Sequence, residues 1–128
     1  MSTGSGAGNQ NSKYIPGVIL GKDSISASGA TNIDMSGNYL QSFIFTGDVT
    51  FTLTNIQEDV CQHVVCVLTA NGAERDITWP TGLRFKTGDD FGAPTVLAIS
   101  TVAIAEFWCW GGTTVYSCWG KYFVLDQV

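Results

Sequence analysis

The chain has 128 residues, of which 45% are hydrophobic and only 13% charged, and its formal net charge is −5. Affinity for nucleic acid and for anionic membranes depends on Lys and Arg, so this acidic balance argues against both as partners. The hydrophobic content and the 15 glycines are unlike a disordered chain, and the length suits one domain.

The first 20 residues differ in composition from the rest of the chain. Residues 1–13 are rich in Gly, Ser and Asn, and lack the basic and apolar regions of a signal peptide. We expect residues 1–20 to be an extended N-terminal arm that contacts a partner protein, and residues 21–128 to be a β-domain. Pro16 excludes a central strand in the arm. Its candidate contact residues are Tyr14, Ile15, Pro16, Val18, Ile19 and Leu20.

Four cysteines and one histidine are the candidate metal ligands. Cys61 and Cys66 lie five positions apart, and Cys109 and Cys118 lie nine apart. Neither spacing is that of a zinc site, and His63 does not complete a ligand set. With no signal peptide we expect folding in the reducing cytoplasm, where the cysteines would be buried free thiols. One or two disulfides remain the alternative, and no cofactor is expected.

Alternating apolar and polar side chains predict strands through most of the chain. Residues 38–45 and 49–53 alternate in this way, and the Thr-Gly-Asp sequence at 46–48 predicts a hairpin between them. Residues 63–69 are apolar on both faces, which indicates a strand covered on two sides. The Asn-Gly pair at 71–72 favours a type I′ turn.

Further strands are predicted over residues 74–79, 95–100, 102–110, 113–119 and 122–125. A two-residue turn at Gly111-Gly112 would place Trp108 opposite Val115 and Phe107 opposite Tyr116. Strands of this length and number, without a helical period, predict an all-β fold with a single β-sandwich or jelly-roll-like domain.

Catalysis has little support in the sequence. A nucleophile would have to use His63 as its base, and that residue lies in an apolar strand. Asp89 and Asp90 lie in a Gly-rich loop, where we expect solvated charge, with calcium binding as the alternative. The protein is therefore predicted not to be an enzyme and to have no small-molecule substrate.

The tryptophans are the main candidates for binding. Trp108 and Trp110 are two positions apart in one strand, so they share a face opposite Phe107. A single thin sandwich cannot bury both faces, which predicts that Trp108 and Trp110 lie in a subunit interface. Trp79 and Trp119 are candidate receptor contacts, and a sugar-stacking platform formed by Trp110 or Trp119 is the alternative.

Residues 76–94, with the sequence DITWPTGLRFKTGDDFGAP, resemble the distal β-modules of tailed-bacteriophage virion proteins, particularly tail-fibre tips. In those modules a strand ends in Trp-Pro, a hydrophobic and basic stretch follows, and Gly-x-Pro leads into the next strand. An aliphatic-aromatic segment, a Gly-Gly-Thr-Thr turn and an aromatic strand come next, as they do here over residues 95–119.

The resemblance covers residues 76 to 123 and implies a homotrimeric structural protein of the virion. The chain has no shaft repeats or heptads, so a complete fibre is not implied. A small module with an arm suits a capsid decoration or cement protein, which would bind the major capsid protein or other virion proteins after assembly in the host cytoplasm. The alternative is a tail-fibre or spike tip that binds a glycan or protein receptor on the host.

Overall fold

The structure, a computed structural model, describes residues 22–87 and 90–125. The predicted arm, with its candidate contacts Tyr14 to Leu20, lies outside the described residues. Within them the chain has strands and no α-helix, which confirms the all-β prediction. The strands are β1 (Lys22–Asp34), β2 (Leu40–Thr54), β3 (Cys61–Ala70), β4 (Arg75–Thr78), β5 (Arg84–Thr87), β6 (Asp90–Phe91), β7 (Val96–Leu97), β8 (Val102–Trp110) and β9 (Cys118–Leu125).

β1 and β2 are parallel partners although only five residues connect them. Lys22 lies opposite Leu40 at one end of the pair, and Asp34 lies opposite Thr54 at the other. Straight parallel strands need a crossover of a dozen or more residues. The short connection is sufficient because each strand bends in the middle, so that its end returns towards its start.

Ring contacts demonstrate the bend in β2. The Phe43 and Phe51 ring centroids are 5.2 Å apart, whereas eight residues of extended strand would separate them by about 26 Å. Each strand therefore has a first leg, residues 22–27 of β1 and 40–45 of β2, and a second leg, residues 29–34 and 49–54. The pairing register shifts where the two legs meet.

The predicted hairpin within residues 38–53 is wrong. The two legs of β2 are not hydrogen-bonded to each other: the first pairs with β1 and β3, and the second with β1 and β4. The Thr-Gly-Asp sequence lies at the bend, and the legs meet through their side chains. The type I′ turn is also wrong, because Gly72 has a positive φ of 85° but Asn71 does not.

The strands form one mixed sheet that curls over itself. Its order is β6-β5-β9-β8-β3-β2-β4-β7, with β1 also beside β2. The first legs, β3, β8, β9 and β5 form one layer, and the second legs, β4 and β7 form the other. Phe side chains from both layers fill the space between them, including Phe43, Phe45, Phe51, Phe85 and Phe107.

The pairing of β8 with β9 differs from the predicted register. β8 spans Val102–Trp110, as predicted, but β9 begins only at Cys118 after a 3-10 turn at Val115–Ser117. Trp108 consequently lies opposite Trp119 instead of Val115, and Phe107 lies opposite Gly120 instead of Tyr116. Seven residues connect the strands where two were expected.

This register places two cysteines directly opposite each other. Cys109 and Cys118 form a disulfide between β8 and β9, with their Cα atoms 4.1 Å apart. The expectation of free thiols is therefore wrong for this pair. Cys66 is free and fully buried, and its burial raises the pKa of the thiol. Cys61 is free but exposed.

Candidate functional site

The outer face of the first layer consists of the side chains of β2, β3, β8, β9 and β5 that point away from the core. In β3, Val64 and Leu68 are buried inside, while Val65 and Val67 on the outer face are only half-buried. The sequence predicted cover on both sides of this strand. Within the described part of the chain only the inner side is covered.

Much of the outer face is apolar. Val67 lies opposite Ile104, and Ile104 lies opposite Phe123, so three apolar side chains cross three adjacent strands. Val102 and Leu125 form the next pair, and Leu125 is 41% exposed. We call these five residues, four aliphatic and one aromatic, the aliphatic zone. An apolar area of this kind on a sheet surface is typical of a protein–protein contact.

Beside the aliphatic zone, aromatic rings form a continuous row across the sheet. His63 stacks on Trp108 with ring centroids 4.4 Å apart, and Trp108 stacks on Trp119 at the same distance. Tyr39 meets the edge of His63 at 5.0 Å, and Trp110 lies 6.0 Å from Trp119. We call these five residues the aromatic strip. Direct cross-strand pairing explains the stacking, because opposite side chains in a sheet lie about 5 Å apart.

Glu106 and its neighbours across the sheet, Val65 and Lys121, lie between the aromatic strip and the aliphatic zone. Nε2 of His63 lies 3.2 Å from a carboxylate oxygen of Glu106, and both side chains are partly exposed. Glu106 also lies opposite Lys121 in the β8–β9 pair. In the part of the chain that the structure describes, no group of three or more His, Cys, Asp or Glu side chains could hold a metal ion.

A cavity of about 230 Å³ opens next to Trp119, on the side of β5. Its lining comprises Arg84, Phe85, Lys86, Trp119 and Gly120. Arg84 lies opposite Trp119 in the parallel pairing of β5 with β9. The sequence analysis missed both basic residues, although their clustering in the stretch Arg-Phe-Lys was a usable signal in an acidic chain.

The structure brings together three of the four tryptophans named from the sequence. Trp108 and Trp110 share one face of β8 opposite the buried Phe107, as predicted, and this is the outer face, where Trp119 joins them. Trp79 lies elsewhere: its ring packs 5.0 Å from Phe51 and 4.8 Å from Phe85. Its indole N–H donates a hydrogen bond of 2.7 Å to the carbonyl of Pro94. A receptor surface that includes Trp119 therefore does not include Trp79.

Comparison with protein-family models, curated proteins and solved structures finds no significant match for this chain. Among the described residues, no helix has the length and apolar character needed to span a membrane.

Proposed function

We propose that the protein is a structural virion protein of a tailed bacteriophage, a capsid decoration protein that binds the head shell. The observation that supports this most is the apolar outer face with its aromatic strip. Contact with another subunit would remove this surface from water, and hydrophobic burial would supply the binding free energy. The phage assignment itself rests on the resemblance over residues 76–123.

In this proposal Trp108 and Trp110 contact a neighbouring subunit of a homotrimer, and the arm at residues 1–20 contacts the major capsid protein. The absence of strong charge on the aliphatic zone supports a permanent contact, since charged residues are depleted from the centre of such interfaces. Deletion of residues 1–13 should then abolish capsid attachment and leave the isolated domain folded.

The outer face can be tested by one substitution and a matched control. Ile104→Lys places a charge in the aliphatic zone, whereas Thr52→Glu places one on an exposed position of the other layer. Both variants should keep a cooperative urea transition. Only Ile104→Lys should lose trimer formation in light scattering and sedimentation with capsid shells. Equal capsid binding by both variants would contradict the proposal.

A second candidate function is a tail-fibre or spike tip that binds a receptor on the host surface. The cavity beside Trp119 favours it, because an aromatic wall next to a concave site is suited to ligand recognition. Densitometry of purified particles separates the two candidates. Hundreds of copies per particle support decoration of the head, and a few to a few dozen support a tail appendage.

A further inference from the structure

β1 is the one described strand with a long unpaired edge. It forms the first of three parallel turns of a coil, because both its legs pair with β2, and the legs of β2 pair with β3 and β4. The far end of this coil is covered, since β8 pairs with β3 and β7 pairs with β4. β6 and β7, at the two ends of the strand order, are only two residues long. Among the described strands, β2 alone lies beside β1.

The backbone groups of β1 that face away from β2 belong to alternate residues. The N–H of Met35 donates to the carbonyl of Thr54 in β2, and the hydroxyl of Thr46 in β2 donates to the carbonyl of Ala27. The N–H and C=O of successive residues point to opposite sides of a parallel strand. The even-numbered residues of β1 therefore direct theirs to the open edge, where such a row is a template for another strand.

Nothing in the described part of β1 blocks this open edge. Charged residues occur only near its ends, at Lys22, Asp23 and Asp34, and the strand contains no proline. The side chain of Gln41 binds the backbone N–H and C=O of Asp34, so the open edge ends before that residue. The even-numbered residues between these ends are uncharged and mostly small: Ser24, Ser26, Ser28, Ala30 and Asn32. Charged side chains and proline are the usual means by which proteins keep an edge strand from pairing.

We propose that the open edge of β1 pairs with the same edge of a second copy about a two-fold axis. The bend selects this occupant: the legs, residues 22–27 and 29–34, lie in different layers, so a straight strand could follow only one of them. A second β1 has the same bend at Ser28, with legs of equal length on either side. Head-to-tail growth has no free edge to use, because the far end of the coil is already paired. The contact is therefore closed and two-fold.

Superposition of the two bends at Ser28 fixes the register of the pair. Antiparallel strands then place Ser26 opposite Ala30 of the partner subunit, and Ser24 opposite Asn32 of the partner subunit. All four positions are even-numbered, so groups that face the open edge meet each other. Each such pair can exchange both of its backbone hydrogen bonds, as in an ordinary antiparallel ladder.

Charge and burial favour the same register. It places Lys22 opposite Asp34 of the partner subunit, so residues of opposite charge meet at both ends of the pair. Ile25 packs against the core but is only partly buried, and it lies opposite Thr31 of the partner subunit on the inner side. The first layer of one copy would thereby continue into the second layer of the other. Since β2 separates β1 from β3, this contact is additional to the proposed trimer contact on the outer face.

Charged residues at two edge positions test both the contact and its register. Ser26→Lys with Ala30→Lys places like charges opposite each other, whereas Ser26→Lys with Ala30→Glu places opposite charges there. The dissociation constant of the two-fold contact, from sedimentation equilibrium, should be at least about tenfold higher for the like-charged variant. Thr50→Lys with Thr52→Lys adds two charges on exposed positions of the neighbouring strand, and this control should associate as the unmodified protein does. The urea midpoint shows that each variant is folded.

The Ile104→Lys variant separates the two-fold contact from the proposed trimer. In that background the chain should sediment as a dimer, and addition of Ser26→Lys with Ala30→Lys should give the monomer. A monomer with Ile104→Lys alone, or equal dissociation constants for the like-charged and oppositely charged variants, would overturn the inference. Dimerisation only after deletion of residues 1–20 would also overturn it, because that segment would then be the occupant of the edge. If the unmodified protein is a dimer instead of a hexamer, the two-fold contact stands and the trimer fails.

Discussion

Substitution of Gly120 by alanine should destabilise the protein through a steric clash in the core below the cavity. A Cβ atom at this position would lie 2.9 Å from Cε1 of Phe107 and 3.0 Å from Cε2 of Phe85. Carbon atoms pack best at about 3.5–4.0 Å, so both rings would have to move by about half an ångström or more. Neither can do so freely, because Phe107 is fully buried and Phe85 also contacts Trp79. Overpacking of this kind costs about 1–3 kcal/mol.

Urea denaturation of the oxidised protein measures this loss of stability. The midpoint of Gly120→Ala should fall while the slope stays unchanged, since the surface exposed on unfolding is the same. Phe107→Leu removes one of the two clashing rings, so the double variant should lose less stability than the sum of the two single variants. The reasoning is refuted if Gly120→Ala unfolds at the same urea concentration as the unmodified protein, or if the two effects simply add.

Two further predictions concern the disulfide and the acid stability of the fold. Reduction of the bond between Cys109 and Cys118 should lower the free energy of unfolding by about 2–3 kcal/mol. The unfolded chain then regains the conformational entropy that it loses when the bond closes this short loop. The double serine variant should show no such response to a reductant. Thiol titration of the unreduced protein should find one reactive group, Cys61, in the native state and a second only after unfolding; four thiols would contradict the bond. The hydrogen bond from Asn55 to Asp34, assisted by backbone donors, lowers the pKa of that carboxyl. Its contribution to stability is therefore complete above the unfolded pKa of about 3.9 and is lost as the pH falls through the lower folded value. Asn55→Gly, which keeps the positive φ of 58° accessible, should reduce this acid-dependent loss, by under about 1 kcal/mol because the site is exposed to solvent. Urea midpoints measured at several acidic pH values test this prediction. It is contradicted if the midpoints of Asn55→Gly and of the unmodified protein fall equally as the pH is lowered.

Local patterns in the sequence predicted several strands but not how they pair. The alternation of residues 102–110 gave the bounds of β8 and placed Trp108 and Trp110 on one face, because side-chain direction in a strand follows from a period of two. The composition of residues 46–48 could not distinguish a hairpin from a bend between two facing legs. Both need a tight reversal of the chain. In a hairpin the two legs are hydrogen-bonded to each other, whereas here the partners of each leg are other strands, which are distant in the sequence.

The sequence analysis missed the parts of the candidate site that depend on the register between β8 and β9. Gly111-Gly112 resembles a two-residue turn, but the connection extends to Ser117 and shifts β9 by four positions. That shift brings Trp119 opposite Trp108 and Cys118 opposite Cys109, so the stacked strip and the disulfide both follow from it. The cavity needed one more piece of information, the parallel pairing of Arg84 with Trp119, which no local pattern contains.

The bent strands also have a consequence for the order of folding. Lys22 pairs with Leu40, and Leu40 pairs with Val65, so successive partners lie 18 and 25 positions apart in the chain. Val65 then pairs with Glu106 across 41 positions. Docking β8 on β3 therefore closes a longer loop, and costs more chain entropy, than pairing β1 with β2 or β2 with β3. The two bent strands and β3 can associate before that step, whereas the stack of His63 and Trp108 forms only with it. Trp108 fluorescence should therefore report the late part of folding.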